Sequence, residues 1–115
     1  LSLLFDAAGR GDTSTLKDAF NQGVGVNILN RGGNTLLSYA AAGGQIHAVE
    51  FLIDQKADLD LKQGSGFSPL EYATIKDNAD IFNALARAGA TVDKNTLLPL
   101  ARKNEAAMVL KILQG

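Results

Sequence analysis

The chain has 115 residues, 46% of them apolar and 20% charged, which is the balance of one ordinary domain able to bury a core. Its formal net charge of −1 gives no bulk attraction to polyanions or membrane surfaces, and its apolar runs fall far short of the ~18 residues of a membrane span. The lack of cysteine excludes disulfides, thiolate metal sites and cysteine nucleophiles, and fits a reducing, cytoplasmic setting.

In chain order, SLLFDA at 2–7 predicts a short helix over Leu3–Gly9 with Ser2 as its cap. A second helix, Ser14–Gln22, carries Asp12, Thr13, Ser14, Thr15, Lys17 and Asp18 in or beside it, a polar outer face. A Gly-rich stretch, Gly23–Asn34, leads to NTLLSYA, where Thr35 caps a helix over Leu36–Gly43. Ile46–Gln55 follows, with Val49, Leu52 and Ile53 at helical spacing. After the loop Ala57–Phe67, Ser68 and Glu71 form the S-x-x-E capping box and Pro69 takes the first helical position, predicting a helix over Pro69–Lys76. Ala79–Ala88 then presents Ile81, Phe82 and Leu85. The next connection, Gly89–Thr96, is five residues shorter than Lys56–Ser68, so a truncated loop is expected there. Thr96 is the expected cap of Leu97–Lys103, and Ala106–Gln114 closes the chain.

These elements repeat. The anchoring alanines Ala7, Ala40, Ala73 and Ala101 lie 33, 33 and 28 residues apart, and QGVGVN, QKADLD and AGATVD follow the first three at a constant offset. The copies resemble ankyrin repeats, whose pattern is a TPLHxA start, a second helix ending in LL and a GADVN-like turn. The usual histidine is replaced by Phe5, Ser38, Glu71 and Pro99, and the usual proline is kept only as Pro69. The resemblance implies an all-α ankyrin-repeat solenoid of stacked helix-turn-helix pairs with short finger loops. It implies one domain over 1–115, with repeats near 1–31, 32–63, 64–93 and 94–115. Helix pairs of this size must stack to bury their faces, and four copies suffice.

The function implied is a protein–protein interaction module that uses the concave surface of fingers and first helices. On the fingers the candidates are Leu29, Arg31, Asn34, Lys62, Ser65 and Phe67; near the first helices they are Arg10, Ile75, Lys76, Lys94, Lys103 and Asn104. The alternative is a regulatory or substrate-targeting segment of a larger enzyme whose catalytic part lies outside this chain. Residue 1 is Leu, so the chain reads as mature or trimmed, which leaves a removed signal peptide open.

No catalytic, cofactor or metal site is expected. His47, the single histidine, falls on the outward side of a second helix without partners for a triad. The glycines form neither G-x-G-x-x-G nor a P-loop, and Gly23 and Gly89 sit just past helix C-termini. Asp58 and Asp60 lack the spacing of a calcium loop. Tyr39 and Tyr72 recur at the structural period, which predicts packing with the hydroxyl at a polar rim.

Charge and apolar placement give two more expectations. Of the 11 Lys and Arg residues, Arg10, Arg31, Lys62, Lys76, Lys94 and Lys103 fall on the surface assigned as concave and no acidic residue falls in that set, so an acidic protein partner is expected rather than nucleic acid or membrane. The last helix carries Ala106, Ala107, Met108, Val109, Leu110, Ile112 and Leu113, too apolar for a terminal face, so a cover of further chain or another subunit is expected.

Overall fold

In the computed structural model, which describes residues 2–62, 64 and 66–115, the described residues form eight helices and one isolated antiparallel bridge, Leu29 with Thr35. The helices are α1 Ser2–Arg10, α2 Thr13–Asn21, α3 Leu36–Ala42, α4 Ile46–Asp54, α5 Pro69–Ile75, α6 Ala79–Ala88, α7 Lys94–Lys103 and α8 Ala107–Gln114. Each odd helix pairs with the even helix after it. The odd helices form one row, α1 on α3 on α5 on α7, and the even helices a parallel row, α2 on α4 on α6 on α8. The stack is elongated, 43 × 26 × 21 Å.

The starts of α3 and α5 follow from bonds closed within four residues. Thr35 Oγ1 accepts from the Ser38 N–H at 3.0 Å and Ser38 Oγ accepts from the Thr35 N–H at 2.9 Å. At α5 the Glu71 N–H donates to Ser68 Oγ at 3.2 Å, and the Ser68 N–H to Glu71 Oε1 at 2.8 Å. Ser38 and Glu71, which stand where the family places histidine, are thus the returning halves of two capping boxes.

Two expected caps are corrected. Ser2 lies inside α1, and α7 begins at Lys94, so Thr96 sits in its first turn. The Asp93 carboxylate takes the cap, accepting from the Asn95 N–H at 3.0 Å and the Thr96 hydroxyl at 3.0 Å. A charged acceptor outcompetes a hydroxyl at the positive end of a helix, and residues 94–96, released from finger duty, join the helix. Pro99 consequently lies in the interior of α7, where it donates nothing to the Asn95 carbonyl.

The core runs the length of the stack. Leu16, Val49, Leu52, Ile81, Phe82, Leu85, Val109 and Leu113 line the even-row seam, and Phe5, Leu36, Leu37, Leu70 and Leu97 the odd row. Each large side chain there stabilises the fold by ~1.5–3 kcal/mol. Alanines let the odd row close up: Ala7, Ala8, Ala40, Ala41, Ala73 and Ala101 are all buried. At the tightest point a Cβ on Gly43 would lie 2.1 Å from the Gly9 carbonyl oxygen, so only glycine permits the α1–α3 approach.

Neighbouring repeats are also stapled by side chains reaching backbone about one period away. Asn27 Oδ1 accepts from the Asp58 N–H at 2.7 Å, and Asp60 accepts from the Thr91 N–H and hydroxyl, both at 2.9 Å. Asp77 accepts from the Val109 N–H at 2.9 Å and the Met108 N–H at 3.3 Å, thereby capping α8, which has no side-chain cap of its own. To do so Asp77 holds φ at 51°, in a left-handed slot filled by Gly11 and Gly44 in the first two copies.

Candidate binding surface

The connections α2–α3 and α4–α5 each span fourteen residues, while α6–α7 spans five. The first two are long enough to project beside the N-terminal ends of the odd helices. The third is the truncated finger expected from the spacing.

The first finger is built on Asn30. Its Oδ1 accepts from the Gly32 N–H at 3.0 Å and the Asn34 N–H at 3.1 Å, a tight turn that sets Arg31 at the exposed tip. Its Nδ2 donates to the Tyr39 hydroxyl at 2.9 Å, tying the finger to α3. The Tyr39 ring meets Phe5 edge-on, with centroids 5.3 Å apart. A hollow of about 440 Å³ results, floored by Phe5 and Tyr39 and walled by Ser2 and Asp6 of α1 on one side and 29–32 on the other.

One repeat further on, Asn34 Oδ1 accepts from the Tyr72 hydroxyl at 3.1 Å and the Phe67 N–H at 3.3 Å. Phe67 packs edge-on against Tyr72 at 5.4 Å and stays 38% exposed. Burial first, then the neighbouring Tyr39 and Glu71, holds the Tyr72 phenol above its ordinary pKa, so it remains a donor.

A second hollow, about 400 Å³, lies between the second finger and α7. Lys62 reaches across it to the buried Glu71 in an ion pair. Burial pushes the Glu71 carboxyl up, but the Lys62 hydrogen bond, the Ser68 N–H, the Lys62 charge and the Ser68 hydroxyl together hold it below its ordinary value. Asp60, Thr91 and Asp93 complete the rim.

The structure divides the sequence-derived candidates into two groups. Leu29, Arg31, Asn34, Lys62 and Phe67 stand on the fingers, with Lys94 at the N-terminus of α7. Arg10, Ile75, Lys76, Lys103 and Asn104 stand at the opposite, C-terminal ends of α1, α5 and α7. A seven-residue helix such as α5 separates the groups by about 10 Å. Ser65 lies outside the described residues.

The expected charge asymmetry is also reduced. Lys62 is neutralised by Glu71, Arg10 lies 3.9 Å from Asp12, and Lys76 shares a hollow with Asp77 and Asp80. Sequence reasoning missed Phe5, Asp6, Asn30, Glu71 and Asp93 as lining residues. The N-R-G-G-N run was the available signal for the Asn30 turn. Nothing local marks Asp6, which stands in the first copy where Tyr39 and Tyr72 stand in the next two.

Elsewhere, His47 projects from α4 with its side chain 92% exposed, 3.5 Å from Glu50. Among the described residues no group of three or more His, Cys, Asp or Glu can hold a metal ion, and no helix is long and apolar enough to cross a membrane. On α8, Val109 and Leu113 turn inward while Met108 is 59% exposed, in a hollow shared with Ala79, Asn83, Lys111 and Ile112.

Stacked helix pairs with fingers at one end define a helical-repeat domain of the class that generally serves protein interaction. The chain belongs to the ankyrin-repeat family: the model for ankyrin repeats (3 copies) matches residues 4–96. It is 33% identical over 75 residues to the potassium channel AKT1 of Oryza sativa subsp. indica, covering 65% of this chain and 8% of that protein. It is 34% identical over 91 residues to the E3 ubiquitin-protein ligase hecd-1 of Caenorhabditis elegans, covering 78% of this chain and 3% of that protein. The human ASB11 ankyrin repeat domain superposes with a TM-score of 0.83 at 26% identity, covering 96% of this chain and 52% of that one. The chain therefore spans under a tenth of these two curated relatives.

Proposed function

We propose that the chain binds a protein partner through the face formed by the fingers and the odd helices, and that it has no chemistry of its own. The observation that carries this is the pair of hollows on that face, one lined by aromatic rings and one by charged side chains, with the exposed Phe67 ring next in the chain to Ser68 of the second. Exposed aromatic anchors beside concave hollows are the usual centre of a protein interface. Leu29, Arg31, Asn34, Lys62, Phe67 and Lys94 belong to this surface; acidic residues of a partner meet Arg10, Lys76, Lys103 and Asn104 at the far helix ends, with Ile75 beside them. The outward face of α8 around Met108 is covered by further chain or another subunit.

The test is photocrosslinking in cells. A crosslinking amino acid placed at Phe67 or Arg31 captures the partner, and one placed at His47 on the outer row does not. Capture at His47 alone overturns the reading.

A second reading is a regulatory or targeting segment of a larger enzyme, favoured by the likeness to an E3 ubiquitin ligase of which the matching stretch is 3%. The length of the full natural product tests it: a product little longer than 115 residues rejects it.

A further inference from the structure

The two hollows differ in how their charges are used. In the second, Lys62 is committed to Glu71, and Asp60 and Asp93 serve the backbone and hydroxyls of Thr91, Asn95 and Thr96. In the first, Asp6 on the α1 wall and Arg31 on the finger tip are both exposed, and among the described residues neither enters an ion pair. Its polar floor atoms, on Asn30 and Tyr39, already bond each other. Asn30 spends its oxygen on two backbone N–H groups and its amide on the Tyr39 hydroxyl, which leaves the ring of Tyr39 and the side chain of Leu29, backed by the buried Phe5, as an apolar bed.

Such a bed favours an apolar side chain by removing its surface from water, at about 25 cal/mol per Å². Opposite charges in the lining of one hollow favour a ligand that carries both signs in a fixed order, because each like-charge pairing in the wrong order is repulsive. The hollow's volume, about 440 Å³, lies in the ~300–1,000 Å³ range of ligand sites. An extended chain of polyproline-II type has three residues per turn, so a residue facing the floor sends its two neighbours roughly 120° away, one toward each wall.

We propose that the first hollow recognises an extended peptide segment in which one apolar side chain, seated on Phe5 and Tyr39, is flanked by a basic residue that meets Asp6 and an acidic residue that meets Arg31. This deepens the concave-face reading and rests on it. The part of the partner seated in this hollow is thereby a charge-ordered peptide.

The experiment is selection from a displayed library of random peptides on the purified chain, followed by affinity measurement on Asp6→Lys, Arg31→Glu and the double variant. Both positions are exposed, so the variants keep the parent's unfolding midpoint, which is measured alongside. The enriched peptides share the basic, apolar, acidic order. Each single reversal weakens them by about fivefold, the most an exposed ion pair of ~1 kcal/mol gives. The double variant prefers synthetic peptides with the two charges exchanged. Lys17→Glu, on the exposed face of α2 in the other row, leaves affinity unchanged. Enriched peptides without the charge order, affinities indifferent to Asp6 and Arg31, an equal loss with Lys17→Glu, or no enrichment at all overturns the proposal. Each of those results leaves the concave-face reading to be judged by crosslinking at Phe67, so the two fail separately.

Discussion

α2 and α8 are the two ends of one row, each with a single neighbour in it, yet they are built differently. In α2, Leu16 is buried and Phe20 stacks on Phe51 at 6.1 Å, while Ser14, Thr15, Lys17, Asp18 and Asn21 meet solvent. In α8, Val109 and Leu113 do the same inward work, but Ala107 and Met108 face out and Ile112 is only part-buried. One seam needs few apolar residues per helix, so the remainder in α8 is surplus to the fold of this domain. The start of α8 is also borrowed, since its cap comes from Asp77 in the preceding repeat whereas α2 is capped by its own Asp12.

The largest expected effects separate the interior from that end. Leu52→Ala, between α2 and α6, destabilises by about 2–5 kcal/mol and loosens the repeats on both sides. Leu113→Ala is expected at the lower edge of that range, with amide exchange rising only in α7 and α8. Thermal unfolding and hydrogen exchange read both. An unchanged midpoint for Leu52→Ala removes it from the core, and equal exchange patterns erase the distinction between interior and end.

Gly43→Ala follows, at about 1–3 kcal/mol, because the new Cβ overlaps the Gly9 carbonyl. Lys76 and Asn104 hold the same C-cap position in the later copies, and Lys76→Ala is expected within about 0.5 kcal/mol of the parent. Equal unfolding midpoints for Gly43→Ala and Lys76→Ala show that the close approach at α1–α3 is not required.

Asp77→Ala removes both acceptors from the start of α8 and costs about 1 kcal/mol. Asp77→Gly relieves the positive φ but still lacks the carboxylate, so exchange in α8 rises in both variants. Protection of Met108 and Val109 unaltered in Asp77→Gly makes backbone conformation, not capping, the function of this residue.

Glu71 contributes a pH dependence. Its folded pKa is depressed, so its stabilisation is fully present above the ordinary glutamate range and is lost as pH falls through the lower folded value. Glu71→Gln keeps the capping-box geometry without the charge. The variant is expected to show a flatter stability profile below about pH 4.5 and no difference in slope between pH 5 and 7. Parallel profiles through the acid range deny the Lys62 pair any net role. Smallest of all, Met108→Lys leaves stability within about 0.5 kcal/mol, since the side chain is mostly in solvent. A larger loss in the isolated chain places Met108 in a core.

The sequence by itself determined what is decided within a few residues or by period. The repeat spacing, the helix pairs, the caps at Thr35 and Ser68, the short third connection and the packing of Tyr39 and Tyr72 all rest on local hydrogen bonds or on an apolar stripe that must face a neighbour. Tertiary structure decided the features that depend on which distant group arrives. Asp93 displaces Thr96 as the cap of α7 once the finger is shortened, Lys62 meets Glu71 across the second hollow, and Asp77 reaches α8 about one period away. The same holds for the binding face. Sequence placed Leu29, Arg31 and Phe67 on fingers, but Asp6 joins Arg31 at one hollow only because α1 packs beside the finger that follows it in the chain. An ion pair or a shared wall is set by where two backbones stop in space, and no spacing within either segment encodes that distance.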